Sequence, residues 1–349
     1  PNGGFLVSAN SNSFSSLGGL WVVKTDNSGS LLWNSSNQDL GGASSSREAV
    51  DGSVIVTGPG ASGGTGDLYV VKIKSDDGSK STGNTTCTDN TATTTTSTWT
   101  KQLGTSSGDE GGGVTTDSSG NIYVTGYTEG GLDGNTSSGG NDIILVKYNS
   151  SGTKQWTKQL GTSSSDEGRG VTTDSSGNIY VTGLTQGGLD GNTNSGNHDI
   201  LLVKYDSSGT KQWTKQLGTS SSDEGRGVTT DSSGNIYVTG LTQGGLDGNT
   251  NSGGSSVDND IILVKYTSSG TKQWTKQLGT SSSACGNDAF KTNCGSSAGN
   301  GVTTDSSGNI YVTGYNYGEI DGNTVLRRTD IFLLKYNSSG TKQWTKQLG

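Results

Sequence analysis

The ten-residue sequence DSSGNIYVTG occurs four times, at residues 117–126, 174–183, 231–240 and 305–314. In each copy, polar turn-forming residues precede a short segment in which apolar residues alternate with others. This pattern is typical of a tight turn that leads into a half-buried β-strand. A segment that recurs almost unchanged predicts a tandem-repeat protein, in which each repeat is one supersecondary unit.

The spacing of tryptophans defines the full repeat. The tryptophan of the TKQW motif or its variant occurs at positions 99, 156, 213, 274 and 344, so the intervals are 57, 57, 61 and 70 residues. The longer intervals contain insertions, one before Asp260 and one around ACGNDAFKTNCGSSA. A weaker first copy contains Lys24 and Trp33, and a second copy carries a Thr-rich insertion at residues 75–98. The chain therefore contains six copies.

Each complete repeat contains four short strands. In the repeat at residues 162–218 they are GVTTD, NIYVTG, DILLVKY and TKQWTKQLG, and tight turns join the first to the second and the third to the fourth. Repeats of four antiparallel strands predict an all-β fold, the β-propeller. A β-helix is the main competitor, but its coils are shorter. We expect a single domain over 1–349 with six blades, at residues 1–40, 41–104, 105–161, 162–218, 219–279 and 280–349.

The segments D-x-x-G-N-I-Y-V-T-G and D-I-x-L-V-K-Y resemble the bacterial SBBP β-propeller repeat over nearly the whole chain. GVTTDSSGNIYV is also similar to NHL-type propeller repeats. The resemblance implies that GVTTD is the innermost strand of each blade and TKQWTKQL the outermost. It also implies a secreted or cell-surface bacterial protein without an assigned activity. The SBBP family is usually described as seven-bladed, whereas the count here is six.

The first blade is predicted to be incomplete. Residues 1–10 align with the second strand of a repeat, and the chain stops after an outermost strand. We therefore expect 23 strands, with Gly3–Ala9, Gly19–Thr25 and Ser30–Asn34 in the first blade. Two explanations are open: the closing strand has been trimmed, or a neighbouring subunit supplies it by strand addition, which would link copies into a polymer.

Composition and charge narrow the classes of partner. The net charge is −8 and 26% of the residues are hydrophobic. An acidic chain is poorly suited to contacts with nucleic-acid phosphates, and no apolar run is long enough to span a membrane. The connections between hairpins place Asp166, Glu167, Asp190 and Asp199 at one face, which we expect to be acidic. The lysines of the outermost strand, such as Lys154 and Lys158, are interpreted as protection of an exposed sheet edge.

The loop LDGNTNSGNHD is a candidate calcium site, because oxygen-bearing side chains at alternate positions can wrap that ion. The alternative is a turn in which Asp and Asn bond to their own backbone. No other cofactor is indicated. The candidate ligands are Asp133, Asn135, Asp190, Asn192, Asn194, Asp247, Asn249, Asn251, Asp321 and Asn323.

Two kinds of covalent modification suggest an extracellular or cell-surface location. Cys285 and Cys294 lie in one inserted loop and can form a disulfide, which leaves Cys87 over. N-x-S/T sequons offer candidate glycosylation sites, although such sequons also arise by chance in a chain rich in Ser and Thr. The sequons are at Asn34, Asn84, Asn135, Asn149 and Asn337.

The repeats argue against an enzyme. Residues 157–196 and 214–253 are identical over 40 positions, whereas an active site needs unlike groups that converge on one substrate. We expect a non-catalytic structural or interaction scaffold, such as a subunit of an extracellular assembly or filament, whose partners are proteins, glycans or copies of itself. The alternative is a glycan- or protein-binding module that uses its acidic face together with calcium. A hydrolase or lyase in the central funnel is the most distant of the three.

If the D-G-N-T loops bind calcium, removal of the ion will lower the melting temperature, because a ligand of the folded state stabilises it. The repeats with Asn194 and Asn251 should bind more tightly than the repeat with Val325, which offers no side-chain oxygen. Thermal unfolding in chelator and in millimolar calcium measures the effect. An unchanged melting curve would leave only the turn interpretation.

Overall fold

The computed structural model describes residues 6–11, 19–25, 31–37, 44–59, 67–74, 96–252, 258–280, 295–323 and 329–348. The chain divides into two compact units, Pro1–Leu160 and Gly161–Gly349. The three cysteines and Val325 lie outside the described residues. The predicted disulfide between Cys285 and Cys294 therefore stays a prediction, as does the single-domain interpretation.

Six antiparallel sheets account for all strands in the described residues. The first unit contains the sheets β1–β3, β4–β7 and β8–β11, and the second contains β12–β15, β16–β19 and β20–β23. The strands of the first unit are β1 Leu6–Ser11, β2 Gly19–Thr25, β3 Leu31–Asn37, β4 Ser45–Glu48, β5 Val54–Pro59, β6 Leu68–Lys74, β7 Thr96–Leu103, β8 Asp109–Thr116, β9 Ile122–Thr128, β10 Asp142–Tyr148 and β11 Lys154–Leu160. Those of the second are β12 Asp166–Thr173, β13 Ile179–Thr185, β14 Asp199–Tyr205, β15 Lys211–Leu217, β16 Asp223–Thr230, β17 Ile236–Thr242, β18 Asp260–Tyr266, β19 Lys272–Leu278, β20 Ser297–Thr304, β21 Ile310–Asn316, β22 Asp330–Tyr336 and β23 Lys342–Leu348.

The all-β prediction and the four-stranded repeat are confirmed, because five of these sheets have four strands in chain order. The first sheet has three strands among the described residues. Its middle strand has the predicted bounds, whereas β1 and β3 lie one to three residues further along the chain than expected. The number of blades and the closure of a ring stay predictions.

The hydrogen bonds of the DSSGN turn explain why its sequence recurs unchanged in four repeats. Asp174 Oδ1 accepts bonds from the backbone amides of Ser176 and Asn178, both at 2.9 Å. Its Oδ2 accepts bonds from Asn178 Nδ2 at 2.8 Å and from the hydroxyl of Tyr180 at 2.9 Å. Gly177 has a φ of 79°, a conformation that glycine adopts without steric cost. One carboxylate thus fixes both the turn and the first aromatic residue of the next strand.

The first strands of successive sheets lie side by side. Thr230 Oγ1 of β16 donates to the carbonyl of Thr173 in β12 at 3.3 Å, and Thr304 of β20 donates to Thr230 in the same way at 3.2 Å. In the first unit, the amide of Val114 in β8 donates to Ser45 Oγ in β4 at 3.3 Å. Within each unit, the first strands of these neighbouring sheets are therefore joined by direct hydrogen bonds.

The hydrophobic core lies between neighbouring sheets. Ile200 and Leu202 of β14 pack against the next sheet, where they contact a cluster that includes Ile236, Val238 and Ile262. All five side chains are at most 1% exposed. Each sheet is therefore apolar on both faces, and its neighbours complete its burial.

Tryptophans of the fourth strands pack on the hairpin turns of the next sheet. Gly270 has a φ of 81°, and a Cβ added there would lie 2.7 Å from Lys215 Cε and 3.1 Å from Trp213 Cε2. Gly152 and Gly340 are packed in the same way against Trp99 and Trp274. The glycine of this turn is required both by its backbone conformation and by the neighbouring indole ring.

We expect Gly270→Ala to lower the free energy of unfolding by more than Gly248→Ala. Both glycines have a φ near 80°, but a Cβ at Gly248 would meet nothing within 4 Å. Both variants introduce left-handed backbone strain, and only Gly270→Ala also pushes against Trp213. The difference should be about 1–3 kcal/mol, measured by denaturant unfolding. Equal losses in the two variants would show that the indole contributes nothing.

Candidate functional site

The candidate functional residues lie at one end of each four-stranded sheet. The antiparallel order places the turns of both hairpins at one end and the connections between hairpins at the other. We call the latter the loop end; in the repeat of β12–β15 it comprises residues 161–165 and 186–198. The candidate calcium ligands all belong to loop ends, whereas three of the four predicted acidic residues, Asp166, Glu167 and Asp199, lie at the strand starts beside them.

The LDGN segment forms a 3₁₀ turn anchored by a buried leucine. In the turn Leu189–Gly191, Leu189 is 1% exposed and Asp190 has a φ of 51°. The backbone amide of Asn192 donates to the carbonyl of Leu189 at 3.0 Å, and its side-chain Nδ2 donates to the same oxygen at 2.7 Å. Asp tolerates the left-handed conformation better than most residues. The turn therefore presents the carboxylate of Asp190 towards the fourth strand.

That carboxylate is bound by the fourth strand of its own sheet. Lys211 Nζ and Thr214 Oγ1 of β15 donate to the two oxygens of Asp190. Burial raises the pKa of Asp190, but the hydrogen bonds from Lys211 and Thr214 outweigh it, so the pKa lies below its usual value. The same three-residue contact occurs in three other repeats, as Asp133–Lys154–Thr157, Asp247–Lys272–Thr275 and Asp321–Lys342–Thr345.

Sequence reasoning missed this contact, because it assigned the outer lysines to edge protection alone. The first lysine of TKQWTKQL pairs with the aspartate of the turn, whereas Lys215, the second, lies over the Trp213 ring at 5.9 Å. The constant spacing between the aspartate and the lysine could have revealed this contact. The lysine follows the aspartate by 21 residues in three repeats and by 25 in the repeat with the insertion before Asp260.

A glutamine of the fourth strand fastens the long loop to the sheet. Gln216 Nε2 donates to the carbonyl of Gly187 at 3.0 Å and to Asp199 Oδ2 at 2.9 Å. Its Oε1 accepts a bond from the amide of Leu189 at 3.2 Å. The fourth strand thus holds the loop through three side chains. The loop is fixed to its own sheet by these hydrogen bonds.

The predicted acidic face is only partly formed. Asp166 and Asp199 belong to the expected end of the sheet, but both side chains are fully buried. In the following repeat, Asp223 Oδ2 accepts a bond from the amide of Thr219 at 2.6 Å. Burial raises the pKa of Asp223, and the charge of Asp199 adds to this effect. These carboxylates organise the strand starts, because a buried acceptor needs donors more than it needs solvent.

An ion-pair network joins the first strands of the second unit. Arg169 contacts Glu167 at 3.1 Å and Glu224 at 3.5 Å, and Arg226 contacts Glu224 at 3.3 Å. Arg226 Nη1 also donates to Asn300 Oδ1 at 3.0 Å. Arg169 and Arg226 lie at β-bulges, where the ladder skips one residue. Sequence reasoning missed these arginines, although the repeated DEGRG segment marks the bulge.

The hairpin end of the first unit contains a cleft of about 470 Å³ between the second and third sheets. Arg47, Val50 and Asp117 are among its lining residues. Asp117 is engaged in its own DSSGN turn, where it accepts bonds from Ser119 and Asn121. One of the two carboxylates that line this cleft is therefore held by its own turn.

The repeats match a known family. The family model of the SBBP β-propeller repeat matches residues 98–133, 155–190, 212–247 and 273–318. Each match spans the fourth strand of one sheet and the first two strands of the next, so the sequence repeat is offset from the sheets described above. The chain is an SBBP repeat protein.

Two curated proteins are similar to this SBBP repeat protein. It is 27% identical over 240 residues to an uncharacterized WD repeat-containing protein of Acanthamoeba polyphaga mimivirus, across 56% of this chain and 16% of that protein. It is 26% identical over 186 residues to the regulatory protein FlaEY of Caulobacter vibrioides, across 47% of this chain and 19% of that protein. The matches thus span less than a fifth of either relative.

Two solved structures share the fold. One is a Bacteroides caccae protein of unknown function, with a TM-score of 0.51 and 10% identity over 99% of this chain and 94% of the other. The other is a candidate 6-phosphogluconolactonase of Bacteroides fragilis, with a TM-score of 0.51 and 12% identity over 100% and 83% of the two chains. At this identity the likeness concerns the fold alone. No helix in the described residues is long and apolar enough to cross a membrane.

The candidate calcium ligands of the SBBP repeats have partners within the protein. Asn194 Nδ2 donates to the carbonyl of Gln186 at 2.6 Å, and Asn251 Nδ2 donates to that of Asp258 at 3.0 Å. Asn135, Asn249 and Asn323 cap their turns as Asn192 does. Among the described residues, no three His, Cys, Asp or Glu side chains are grouped to hold a metal ion. Calcium binding stays a prediction: the ion would bind the Asn side chains through Oδ1 rather than Nδ2, and it would compete with lysine and threonine for carboxylates such as that of Asp190.

The candidate glycosylation sites differ in their geometry. Asn149 and Asn337 use Oδ1 to accept the amides of their turns, at 2.8 Å from Thr153 and from Thr341. Asn135 instead uses Nδ2, the atom that a glycan would modify, as a donor to Leu132. The side chain of Asn34 and the whole of Asn84 lie outside what the structure describes. Glycosylation stays a prediction at all five sequons.

We expect Lys211→Met to lower the free energy of unfolding at neutral pH by about 0.5 kcal/mol, because the pair with Asp190 is partly exposed. The pKa of Asp190 is depressed in the folded state, so its stabilisation is complete above its unfolded pKa of about 3.9. It is lost as the pH falls through the folded pKa. The variant should therefore lose part of the acid sensitivity seen in denaturant unfolding at several pH values.

Lys215→Met is the matched control, since Lys215 belongs to the same strand and lies over Trp213. It should leave the pH dependence of unfolding as it is in the unaltered protein. An equal change of pH dependence in both variants would contradict the assignment of the Asp190 pair.

Proposed function

We propose that this SBBP repeat protein is a non-catalytic, secreted or cell-surface scaffold, a β-propeller of six blades whose first blade is incomplete. Its loop ends would bind protein or glycan partners, copies of the chain among them. The scaffold role is favoured over catalysis because the repeats present the same chemical surface several times. Binding several times through weak identical sites raises avidity without any new contact.

One observation carries the proposal. The polar groups of the loop ends are engaged in the same internal bonds in the four repeats whose third sheet strands are β10, β14, β18 and β22: aspartate to lysine, glutamine to loop, and asparagine to its turn. The loops of residues 157–196 and 214–253 are identical in sequence, and their Asp190 and Asp247 contacts are also the same. These groups maintain a shaped surface, whereas a catalytic centre needs unlike groups free to act on one substrate.

A secreted or surface location is supported by two sequence features. Five sequons occur in the chain, and two cysteines lie close together in one insertion. Both features suit an oxidising compartment outside the cell. The resemblance to bacterial surface propellers points in the same direction.

The test measures catalysis and binding on the purified chain. Hydrolysis of gluconolactone and of 6-phosphogluconolactone, followed with a pH indicator, should not exceed the buffer blank; these probes are chosen because of the Bacteroides fragilis structure. Turnover that scales with protein concentration would overturn the scaffold role. Electron microscopy of the same sample should show a six-bladed ring, and a different number of blades would refute that part of the proposal.

A glycan array, probed with and without calcium, separates the scaffold from the alternative binding module. Avid binding that weakens strongly when the glycan is displayed sparsely supports a multivalent scaffold, because the repeats of one chain then cannot reach several glycans at once. Saturable 1:1 binding of one glycan, dependent on calcium, would favour the single-ligand module instead.

A further inference from the structure

The turn between the third and fourth strands begins with an oxygen acceptor in four repeats. Asn149 Oδ1 accepts the backbone amides of Ser151 at 3.1 Å and of Thr153 at 2.8 Å. Asn337 holds its turn in the same way, and Thr267 accepts one amide of its turn through Oγ1. The turn thus requires an oxygen at its first position and has no need of an amide nitrogen there.

Asp206 occupies this position in the repeat of β12–β15 and shows that a carboxylate is enough. Its Oδ1 accepts the amides of Ser208 at 2.9 Å and of Thr210 at 3.0 Å. The sequence around it is YDSSGTK, which differs only at this position from the YNSSGTK of the two turns that contain asparagine. The nitrogen of those asparagines is therefore an addition that the turn does not use.

Neither amide nitrogen has a partner within the described part of the chain. The side chains of Asn149 and Asn337 make all their hydrogen bonds there through Oδ1. The hydroxyls of Ser151 and Ser339 also donate to these oxygens, both at 2.7 Å. Because Oδ1 faces the amides of the turn, Nδ2 is left on the side of the group that points away from them.

The turns have room for a bulky group. Their tips, at residues 150–151 and 338–339, are exposed. Asn149 and Asn337 are half-buried, and so is Asp206, whose sheet is packed against a following sheet within the second unit. The exposure of this position is therefore a property of the turn itself. A glycan, which is bulky and belongs on the surface, fits at such a position.

We propose that Asn149 and Asn337 carry N-linked glycans and that Asn135, the third sequon whose side chain is described, does not. This inference rests on the proposed secreted or cell-surface location and selects among its candidate sites. The transfer forms a bond from Nδ2 to the anomeric carbon of an oligosaccharide and breaks the bond from that carbon to the diphosphate of a polyprenyl donor. The nitrogen loses one proton, and the lipid diphosphate leaves.

Asn135 uses the same side chain in the opposite way. Its Nδ2 donates to the carbonyl of Leu132 at 2.7 Å, and its backbone amide donates to the same oxygen at 3.0 Å. Asn192 makes the same contact with Leu189 in a repeat that has no sequon there, so the fold itself uses this nitrogen. A glycan on Asn135 would disturb the bond that closes the LDGN turn.

The two kinds of asparagine belong to opposite ends of a sheet. In β8–β11, Asn149 lies in a hairpin turn and Asn135 lies in the loop end. A glycan on Asn149 covers the hairpin end of that sheet and leaves its loop end open to the partners proposed above. A glycan on Asn337 does the same for β20–β23. In these two sheets, glycosylation thus assigns binding to the loop end.

The first experiment maps glycans on the protein isolated from the cells that produce it. Trypsin cannot separate the two sites, because both give the peptide YNSSGTK. Cleavage before aspartate gives distinct peptides, and mass spectrometry should find attached sugar at Asn149 and Asn337 and none at Asn135. The peptides are 133–141 for Asn135, 142–165 for Asn149 and the one that begins at Asp330 for Asn337.

Two variants test the geometry by creating new sequons in the same host. Asp206→Asn gives its turn the sequence YNSSGTK and should add a glycan. Asn194→Ser gives Asn192 the sequon Asn–Thr–Ser, as at Asn135, and should add none, because Asn192 Nδ2 is bound to Leu189. Each new residue occurs at the equivalent position of another repeat, so both variants should unfold at nearly the temperature of the unaltered protein.

A bare peptide at Asn149 or Asn337 refutes the inference for that asparagine. Equal modification of Asn135, or a folded Asp206→Asn variant without added sugar, would show that the turn geometry does not select the site. Bare peptides from protein recovered at the cell surface or in the medium overturn glycosylation and leave the proposed location standing. Bare peptides from protein found only in the cytoplasm refute the location as well.

Discussion

The need to bury both faces of every sheet governs the rest of this structure. Each third strand of the complete repeats is mostly apolar. In Asp199–Tyr205, five of seven residues are apolar and all five are buried. A sheet of this kind cannot be stable alone in water, because one face would always remain hydrated. It has to stack on a neighbour, and the neighbour has the same requirement. Because the same sequence repeats along the chain, each sheet finds a neighbour that can bury its apolar face.

The polar interactions make that stacking regular. The carboxylate of each DSSGN turn fixes a hairpin, and the tyrosine it binds enters the buried layer between sheets. At the other end, the fourth strand uses a lysine, a threonine and a glutamine to hold the long loop against its own sheet. Net contributions of single hydrogen bonds are modest, at about 1 kcal/mol. Their value here is that every repeat acquires the same shape, so that each can stack on the next.

The same internal hydrogen bonds determine which side chains are available for a functional site. Side chains that could have formed a metal site or an acid–base pair are engaged in holding turns and strand starts, as Asp190 and Asp199 are. The repeats differ in the lengths of their loops and in the sequence of the last repeat. The Glu–Arg network of the first strands ends at Asn300, where the last repeat departs from the DEGRG pattern. Differences of this kind give individual repeats different surfaces for a binding partner.

The sequence by itself determined the repeat, its four strands, its turns and the all-β class, because these depend on local chemistry: alternation, turn glycines and a carboxylate within a few residues of the amides it accepts. It also predicted that the acidic residues and the asparagine-rich loops share one end of each sheet. Only the tertiary structure showed that Asp190 pairs with Lys211 and that Asp166 and Asp199 are buried. These features depend on which strands and loops lie against each side chain, and residues 21 positions apart in the chain are brought into contact only when the sheet has formed.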